Sequence, residues 1–535
     1  MKRRTFLQSL AATAAAAPIM LNGIPVRAKT PLPLLAQMQE NAADKILIIV
    51  QLFGGNDGLN TIIPADDPAY QALRPKIGIQ PLDAIKVGPI YMNDGLGRGS
   101  RGGMVQLLNT GYAAVVREIG YTPANLSHFR STDIWLSGII DSDPNHHLST
   151  GWVGRMLEKQ YPTFPASLPP DPLAIQVGGF SLALTSTKGR MGVEVGDPSK
   201  QLGVSSFLDA TDANAMGTHY SDEYAFIDDV AKRSNTYALN IRTAYAAGKA
   251  KLKATYGSDG FGQQMASVAA LIAGGLKTKV YVVSMGGFDT HVSQQTDGKT
   301  GLHPTLLSRL GDGCAQFMYD MVALGEADRV IGLTISEFGR RPAENGSLGT
   351  DHGAASVQFV FGTQVSSGVF QLQPLDLANL DENGDLPMQI DYRRTYMDVL
   401  TKWFGLTLAD ARIILQLPPD DITVTPLGVI KPQAGIDGWK VGQPSTLSLS
   451  NYPNPFSTNT TLQLTLESAT DVTIDLSNVA GQRLGRVIQQ HLAAGVHQIP
   501  LDAMQIAGRQ LASGTYVCTV IAGSDRISKM IQCVR

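Results

Sequence analysis

The sequence predicts an α/β fold built on a doubly wound, mostly parallel sheet, followed by a C-terminal all-β sandwich module. Apolar runs of strand length recur through the first part of the chain with helical patterns between them, an order that favours a parallel sheet. After Leu447 the runs become short and alternate between apolar and polar residues, as in an antiparallel sandwich. A segment rich in Pro, Asp and Gly separates the two regions and is predicted to be a linker.

The composition is that of a globular chain and argues against a nucleic-acid-binding surface. The net charge is -3, so no strong positive field is available to a phosphate backbone. At roughly 150 residues per domain, the 535 residues allow two to four domains. The 3 cysteines cannot form a disulfide framework, although Cys518 and Cys533 could pair across the last two strands.

The N-terminus predicts export from the cytoplasm. Residues 1–28 combine a positive start, an apolar run from Leu7 to Leu21 and a small-residue cleavage site at Val26-Arg27-Ala28. This pattern is typical of a signal peptide, and the apolar run is too short to span a bilayer. The stretch from Arg3 to Leu7 resembles a twin-arginine signal, although an ordinary secretory signal is the alternative. No later segment is long and apolar enough to be a transmembrane helix.

Six apolar runs are predicted to be strands of the large domain, with helices between them. The strands are predicted over Lys45–Phe53, Ala113–Ile119, Pro172–Val177, Lys279–Met285, Val330–Ile335 and Val357–Phe361. The main helices are predicted over Ser131–Leu136, within Ser221–Tyr256, and over Met265–Gly275 and Thr305–Leu324. Ligands of open α/β sheets bind at the carboxyl ends of the strands, so residues beside those ends are the functional candidates.

Ligand-type and nucleophile-type residues lie beside the ends of several predicted strands. The predicted metal ligands are Asp57, Asp289, His291, Glu337, Asp351 and His352, and the predicted catalytic group is Ser127, His128 and Arg130. Carboxylate and imidazole bind divalent ions, a serine at a strand-to-helix turn can act as a nucleophile, and arginine can hold phosphate or sulfate. The alternative is a purely local role for each: a turn at Asp57, an N-cap at Ser127 and a helix cap at Glu337.

Several motifs of the large domain together resemble the bacterial family called domain of unknown function 1501. They are GGNDGLN, LSHFRSTDIWLSG, GWVGR, GGFDTH, SEFGRR and GTDHG, and the resemblance extends over about Lys45 to Leu406. That family is in turn similar to the alkaline phosphatase and sulfatase superfamily. The resemblance implies a sheet of alkaline-phosphatase-like type with a metal site at the strand ends.

The superfamily pattern is matched at some positions and broken at others. Asp57 and Asp289 match ligand aspartates, and His352 matches the last ligand histidine. Ser293 stands where a histidine is expected four residues after Asp289, and Phe338 stands where another is expected. The resemblance therefore implies a single-metal or altered site, or a scaffold that has lost its activity.

The position of the nucleophile is likewise displaced. Counting back from Gly138 places His128 at the nucleophile position, and a slip of one residue restores Ser127. The implied cofactor is a divalent metal ion, either zinc, calcium or magnesium.

The C-terminal module resembles the type A sorting domain of the type IX secretion system. The segments NYPNPFSTNTTLQLTL, LSNVAGQRL and LASGTYVCTVIAG carry this resemblance. It implies a partner, the type IX machinery, and passage through the periplasm to the cell surface or the extracellular space. The predicted division is a signal peptide at 1–28, an α/β domain at 29–425, a linker at 426–446 and the sorting domain at 447–535.

Two functions follow as hypotheses of different classes. The first is an exported, metal-dependent hydrolase of phosphate or sulfate esters, acting on a small anionic ester. The second is a non-catalytic surface protein that keeps the scaffold and binds a glycan or a partner; Phe338 and the displaced His291 favour this alternative.

Overall fold

The computed structural model describes two long stretches of the large region and most of the C-terminal region. These are residues 45–200 without 144 and 180, residues 237–432 without 296–298 and 419–420, and residues 448–534 without 453–455, 467–468, 479–482, 503, 505, 507–510 and 523–524. A short antiparallel pair, Ile19–Leu21 with Ile24–Val26, is also described. The chain divides into two compact units, Met1–Trp439 and Lys440–Arg535.

The first unit is built on a nine-stranded mixed sheet. In chain order its strands are β1 (Ile46–Leu52), β2 (Ala113–Gly120), β3 (Ala174–Val177), β4 (Gly192–Val195), β5 (Val280–Met285), β6 (Val330–Ser336), β7 (Ser356–Phe361), β8 (Gly368–Phe370) and β9 (Ile390–Asp391). Their spatial order is β4-β3-β5-β1-β6-β7-β2-β8, and β9 also pairs with β2. The six predicted strands are present with ends shifted by one or two residues, and the predicted fold class is confirmed.

The sheet is parallel except at β7. Strands β4, β3, β5, β1 and β6 form consecutive parallel pairs, whereas β7 runs antiparallel to both β6 and β2. Since β2 is antiparallel to β7, it again runs in the direction of β6. The carboxyl ends of β1, β2, β5 and β6 therefore lie at one edge, and β7 begins at that edge.

Both faces of the sheet are covered. Alternate residues of β1 enter two separate apolar cores, with Ile46, Ile48 and Val50 on one face and Leu47 and Ile49 on the other. Successive side chains of a strand point to opposite faces, so a strand that is apolar throughout has to be covered on both. The near-continuous apolar run of the sequence therefore specifies a central strand.

Helices provide the cover. They are α1 (Pro68–Leu73), α2 (Gly103–Asn109), α3 (His128–Ser137), α4 (Trp152–Gln160), α5 (Gly260–Ala273), α6 (Leu302–Ala323), α7 (Arg393–Asp398) and α8 (Leu408–Ile414), with a further helical segment at 237–249. Short strand pairs connect them: Ile62–Ile63, Ala84–Val87 and Ile90–Asn93 form one small sheet, Thr185–Ser186 pairs with Gly189–Arg190, and Gly339–Arg340 pairs with His352–Gly353. None of the described helices is long and apolar enough to cross a membrane.

The second unit consists of two antiparallel sheets that share one apolar core. Its strands are β10 (Ser448–Tyr452), β11 (Asn459–Leu466), β12 (Thr470–Asn478), β13 (Arg483–Leu492), β14 (Gly495–Asp502), β15 (Gly514–Ala522) and β16 (Asp525–Cys533). The sheets have the orders β10-β11-β14 and β13-β12-β15-β16. Alternating residues such as Leu462, Leu464, Ile474 and Leu476 form the core, as the alternating pattern predicts.

The expected pairing of Cys518 with Cys533 is wrong. Both cysteines are buried and free, and in the β15–β16 register Cys518 lies opposite Lys529 while Cys533 lies opposite Gly514. The two thiols are therefore not cross-strand neighbours. Other predictions concern residues that lie wholly or largely outside those described: the signal peptide with its twin-arginine motif, the first part of the helical segment Ser221–Tyr256, and most of the linker.

Candidate metal centre

The loops that meet at the carboxyl edge of the sheet bring the candidate residues together. His128 opens α3 after β2, Asp289 follows β5, Glu337 directly follows β6, and His352 precedes β7. His128 and Glu337 are 209 positions apart in the chain, yet their side chains are in contact. The antiparallel direction of β7 is what allows a residue before a strand to join residues that follow strands.

Three imidazole rings surround the carboxylate of Asp289. Nε2 of His291 lies 3.1 Å from Oδ1, Nε2 of His352 lies 3.3 Å from Oδ1, and Nε2 of His128 lies 3.6 Å from Oδ2. The Nε2 atoms of His291 and His352 are 3.0 Å apart. One ligand atom each from His128, Asp289 and His352 all lie within 4.8 Å of one another, so one ion can contact all three.

The other ring nitrogen of each histidine faces an acceptor. Nδ1 is 3.0 Å from Glu337 Oε1 in His128, 2.9 Å from the Leu126 carbonyl in His352 and 3.3 Å from Asp351 Oδ1 in His291. In His128 and His352 the acceptor at Nδ1 is the nearer one, so in the neutral ring Nδ1 carries the N–H and Nε2 carries the lone pair. His291 faces a carboxylate oxygen at both ring nitrogens. The Nε2 lone pairs of His128 and His352 are therefore directed into the group around Asp289.

The buried side chain of Arg340 holds the Asp289 carboxylate in place. The guanidinium of Arg340 donates to Asp289 Oδ1 at 2.6 Å and to the carbonyl oxygens of Gly55 and Thr350 at 2.9 and 2.8 Å. It also donates to the carbonyl of Gly54. Arg340 thus connects the loops that follow β1 and precede β7, and it fixes the orientation of the Asp289 carboxylate.

The ring of Phe338 packs against two of the histidines. Its centroid lies 5.0 Å from that of His128 and 4.3 Å from that of His352, and the side chain is buried. Phe338 offers no ligand atom, in agreement with the departure noted in the sequence. It limits the freedom of both imidazoles and excludes water from one side of them.

Gly54 allows the loop after β1 to approach the group closely. Its φ is +119°, and a Cβ at this position would lie 2.1 Å from the backbone nitrogen of Asp289. Its own N–H donates to Glu337 Oε1 at 2.6 Å. Only glycine combines this conformation with this approach.

The local charges favour the forms that bind a metal. Burial alone would raise the pKa of Asp289, but the hydrogen bond and charge of Arg340, together with His352 and His291, hold that pKa below its usual value. Burial lowers the pKa of His352. At neutral pH Asp289 is therefore a carboxylate and His352 a neutral imidazole, as a metal site requires.

Asp57 lies apart from the three-histidine group. Its carboxylate is fully buried and forms an ion pair with Arg74, with 2.6 Å between Oδ2 and Nη1, and it also accepts from the side chain of Gln294. Burial favours a higher pKa, but the charge and hydrogen bonds of Arg74, together with His303 and the hydrogen bond from Gln294, lower the pKa of Asp57 below its usual value. In this position Asp57 stabilises the loop after β1, and its carboxylate is not among the candidate metal ligands.

Ser127 and Arg130 also lie beside the group instead of within it. Ser127 is exposed at the N-cap of α3, and its side chain makes no capping hydrogen bond. The guanidinium of Arg130 donates to the carbonyl oxygens of Asp141, Asp143 and His146, each at 2.7 Å. Arg130 therefore holds the 141–146 loop, and its N–H groups are engaged there.

Two clefts adjoin the group. One, of about 420 Å³, opens directly on His128 and Asp289, and Phe53 lines it on another side. The second, of about 390 Å³, lies along α3 and includes Ser127. Phe129 and Asp133 line both clefts.

Sequence reasoning missed Arg340 and the carbonyl of Leu126. Arg340 belongs to the motif SEFGRR, but nothing in the sequence distinguishes its role from that of Arg341, which is half-exposed and bound to Asp385. The two arginines differ because the strand pairing places Arg340 opposite the ligand candidate His352. A main-chain carbonyl, as at Leu126, has no side-chain signal at all.

Comparisons with known proteins give two family matches. A family model described as protein of unknown function DUF1501 matches residues 145–417, just over half of the chain. A model described as secretion system C-terminal sorting domain matches residues 450–533. A search of curated protein sequences gives no match.

The comparison with solved structures gives two hydrolases and a secretion component among its matches, each with a TM-score below 0.5. The PsFucS1 sulfatase from Pseudoalteromonas sp. is 9% identical, with 90% of this chain and 87% of that chain covered and a TM-score of 0.32. A mutant of the alkaline phosphatase PafA is 8% identical, with 55% and 63% covered and a TM-score of 0.26. PorZ, a surface component of the type IX secretion system of Porphyromonas gingivalis, is 16% identical, with 21% of this chain covered and a TM-score of 0.13; the chain spans only 14% of PorZ.

The sorting-domain match marks the chain for export to the cell surface or the extracellular space. Because the first family model covers more than half of the chain and the second covers its C-terminal unit, the chain belongs to the DUF1501 family and carries a secretion sorting domain.

Proposed function

We propose that the protein binds one divalent metal ion at His128, Asp289 and His352 and hydrolyses a phosphate or sulfate ester beside it. One observation carries the proposal: the Nε2 atoms of His128 and His352 converge on the Asp289 carboxylate, at 3.6 Å from Oδ2 and 3.3 Å from Oδ1. Electron pairs of nitrogen and oxygen repel one another at such distances unless a cation or a proton lies between them. A metal ion between them accepts electron pairs from both nitrogens and from the carboxylate at once.

The donor set favours zinc over calcium and magnesium. Two imidazole nitrogens and one carboxylate oxygen are the ligands of many zinc centres that keep a fourth position open, whereas calcium and magnesium prefer oxygen ligands. The acceptors behind the rings, Glu337 for His128 and the Leu126 carbonyl for His352, fix the ligand nitrogens. The open position would face the cleft that contains Phe53 and Phe129.

The chain supplies the surroundings for ester hydrolysis. A bound divalent ion contributes Lewis-acid polarisation of an ester oxygen or of a water molecule. The chain holds the ligand atoms in place, and α3, which begins at His128, brings the positive end of its dipole to the anion. Ser127 lines the second cleft and not the cleft at the metal ligands, so this geometry favours water over Ser127 as the nucleophile.

The direct test is metal binding by the purified full chain. We expect elemental analysis to find about one equivalent of zinc. In calorimetry, we expect Asp289→Ala and His352→Ala each to weaken zinc binding at least about 100-fold, because each removes one of three ligands. His146→Ala is the matched control, because His146 is exposed and bound to Asp141 outside the group. Equal zinc binding by wild type and both variants would refute the site.

Activity is a separate measurement. The zinc-loaded chain is assayed with a panel of phosphate and sulfate monoesters, and we expect turnover that disappears with a chelator, with Asp289→Ala and with His352→Ala. Metal binding without turnover of any ester would reject the hydrolase and retain the metal site.

The second candidate function is metal-dependent binding without catalysis. It is favoured by the engagement of Arg130 with three main-chain carbonyls, which leaves the predicted anion-holding group out of the site. Retention of an anionic ester without its cleavage would support this function.

A further inference from the structure

We infer that the cleft along α3 is a subsite for a sugar ring and that Phe129 is its platform, so that the ester bound at the metal would be carried by a sugar. This inference rests on the proposed function, because it assigns the organic part of the same ligand. It makes Phe129 a specificity-determining residue.

Phe129 has no role in packing. Its side chain is 87% exposed, although it is the second residue of α3 and directly follows the ligand His128. Because Phe129 lines both clefts, a ligand bound beside His128 and Asp289 can cover its exposed ring. An aromatic face suits the C–H face of a pyranose ring, and Tyr, Trp and Phe rings provide such contact area at many interfaces.

Most other residues of the second cleft are polar and suit hydroxyl groups. Beside Phe129, Arg130 and the apolar Leu148, the cleft is lined by hydroxyl, amide, imidazole and carboxylate groups, from Asn125, Ser127, Asp133, Ser142, His146 and His147. These groups can donate and accept, as the hydroxyls of a sugar require.

A second anion is not favoured in this cleft. Arg130 is the one lysine or arginine among its described lining residues, and its N–H groups donate to carbonyl oxygens of the 141–146 loop. The pKa of His146 is raised by its hydrogen bond with Asp141, so its positive charge is already paired with that carboxylate. Asp133 adds a carboxylate, whose pKa is raised by burial. An uncharged hydroxylated ring therefore fits better than a charged group.

The two clefts are continuous at Phe129 and Asp133, which line both. An anion beside His128 and Asp289 and a ring over Phe129 can therefore belong to one molecule. This geometry distinguishes a sugar ester from a small ester without a ring, which would leave the second cleft uncovered.

Binding of matched esters tests the inference. Dissociation constants of the 6-sulfates and 6-phosphates of glucose and galactose, of ethyl sulfate and ethyl phosphate, and of phenyl sulfate are measured by calorimetry on the zinc-loaded full chain. We expect Phe129→Ala to weaken at least one sugar ester about 3- to 10-fold more than it weakens the ethyl esters, because only the sugar esters place a ring over Phe129. Leu82→Ala is the control, because Leu82 is 94% exposed and lies outside both clefts.

Two results of the ester-binding experiment would overturn the inference. Equal weakening of ethyl and sugar esters, or no weakening of either, overturns the subsite. Phenyl sulfate that binds as tightly as the sugar esters and depends equally on Phe129 overturns the sugar assignment in favour of an aryl ester.

The inference remains testable if no ester binds, which would be a failure of the proposed function. In that case saturation-transfer NMR is recorded with the methyl glycosides of glucose, galactose and mannose. Transfer to ring protons that is lost in Phe129→Ala supports the subsite, and no transfer to any glycoside in the wild type overturns it.

Discussion

At the scale of single residues, Arg340 shows how one buried side chain can hold a site together. Its guanidinium serves three loops at once, through Asp289 and the carbonyls of Gly55 and Thr350. We expect Arg340→Met to reduce the free energy of unfolding by about 3 kcal/mol, since buried acceptors would lose their donor. Urea unfolding measures this change, and Arg341→Met, at the half-exposed neighbour, is the matched control. Equal effects of the two substitutions would contradict the prediction.

His303 gives a prediction for the dependence of stability on pH. It is fully buried, its Nε2 lies 3.0 Å from Asn56 Oδ1, and burial lowers its pKa from 6.5 to about 4, against the opposing charge of Asp57. Between these two values the unfolded chain binds a proton at His303 and the folded chain does not. The free energy of unfolding is therefore expected to fall as pH decreases from 6.5 to 4, by about 3 kcal/mol in all.

The comparison with His303→Gln isolates this contribution. Urea unfolding of both proteins is measured at several pH values from 7 to 4, where most other titrating groups cancel in the difference. We expect the variant to lose less stability than the wild type over this range. Parallel curves would show that His303 does not cause the acid sensitivity.

At the scale of elements, the turn after β1 decides where Asp289 lies. Gly54 has a left-handed φ, and an added Cβ would collide with the backbone of Phe288 and Asp289. We expect Gly54→Ala to displace the loop after β5 and weaken zinc binding at least about 10-fold, because ligand position would be lost. Calorimetric zinc titration checks this.

Gly286 provides the matched substitution in the same pair of loops. A Cβ at Gly286 meets no atom within 4 Å, so Gly286→Ala should leave zinc affinity unchanged. If the two alanine variants bind zinc equally well, the close approach at Gly54 is not what places Asp289.

The sequence predicts most helices and strands because local patterns of apolar residues specify them. It predicts less of the site because the site depends on contacts between distant segments. The runs that became β1, β5 and β6 are apolar throughout, so burial on both faces follows from the sequence. The reversed direction of β7 depends on pairing with β6 and β2, and no local residue specifies it. For the same reason, Asp57 and Arg130 lie outside the site to which the sequence assigned them. Their partners, Arg74 and the 141–146 loop, can be identified only in three dimensions.

At the scale of the whole molecule, the two units are expected to have separable roles. The candidate metal centre lies entirely in Met1–Trp439, and the sorting-domain match lies entirely in Lys440–Arg535. We expect a chain without Lys440–Arg535 to bind zinc as tightly as the full chain. Zinc titration of both proteins measures this, and a loss of affinity in the shortened chain would show that the second unit supports the site.

Export gives the complementary prediction. In cells with a functional type IX system, the shortened chain is expected to remain in the periplasm while the full chain reaches the surface or the medium. Cell fractionation with immunodetection measures the distribution, and an unrelated periplasmic reporter fused to Lys440–Arg535 is the control. Surface delivery of the shortened chain would contradict a sorting role for the second unit.

The wide sequence separation of the ligands has a consequence for when the metal enters. His128 depends on Glu337, 209 positions later, and His352 depends on Leu126, 226 positions earlier. The three proposed ligands come together only when the central sheet has formed, so we expect metal loading to follow folding of the first unit. A chain that crosses the inner membrane unfolded acquires its ion from the periplasm, whereas a chain that travels folded carries a cytoplasmic ion outward. The metal found in the secreted protein would therefore record the compartment in which the protein folded.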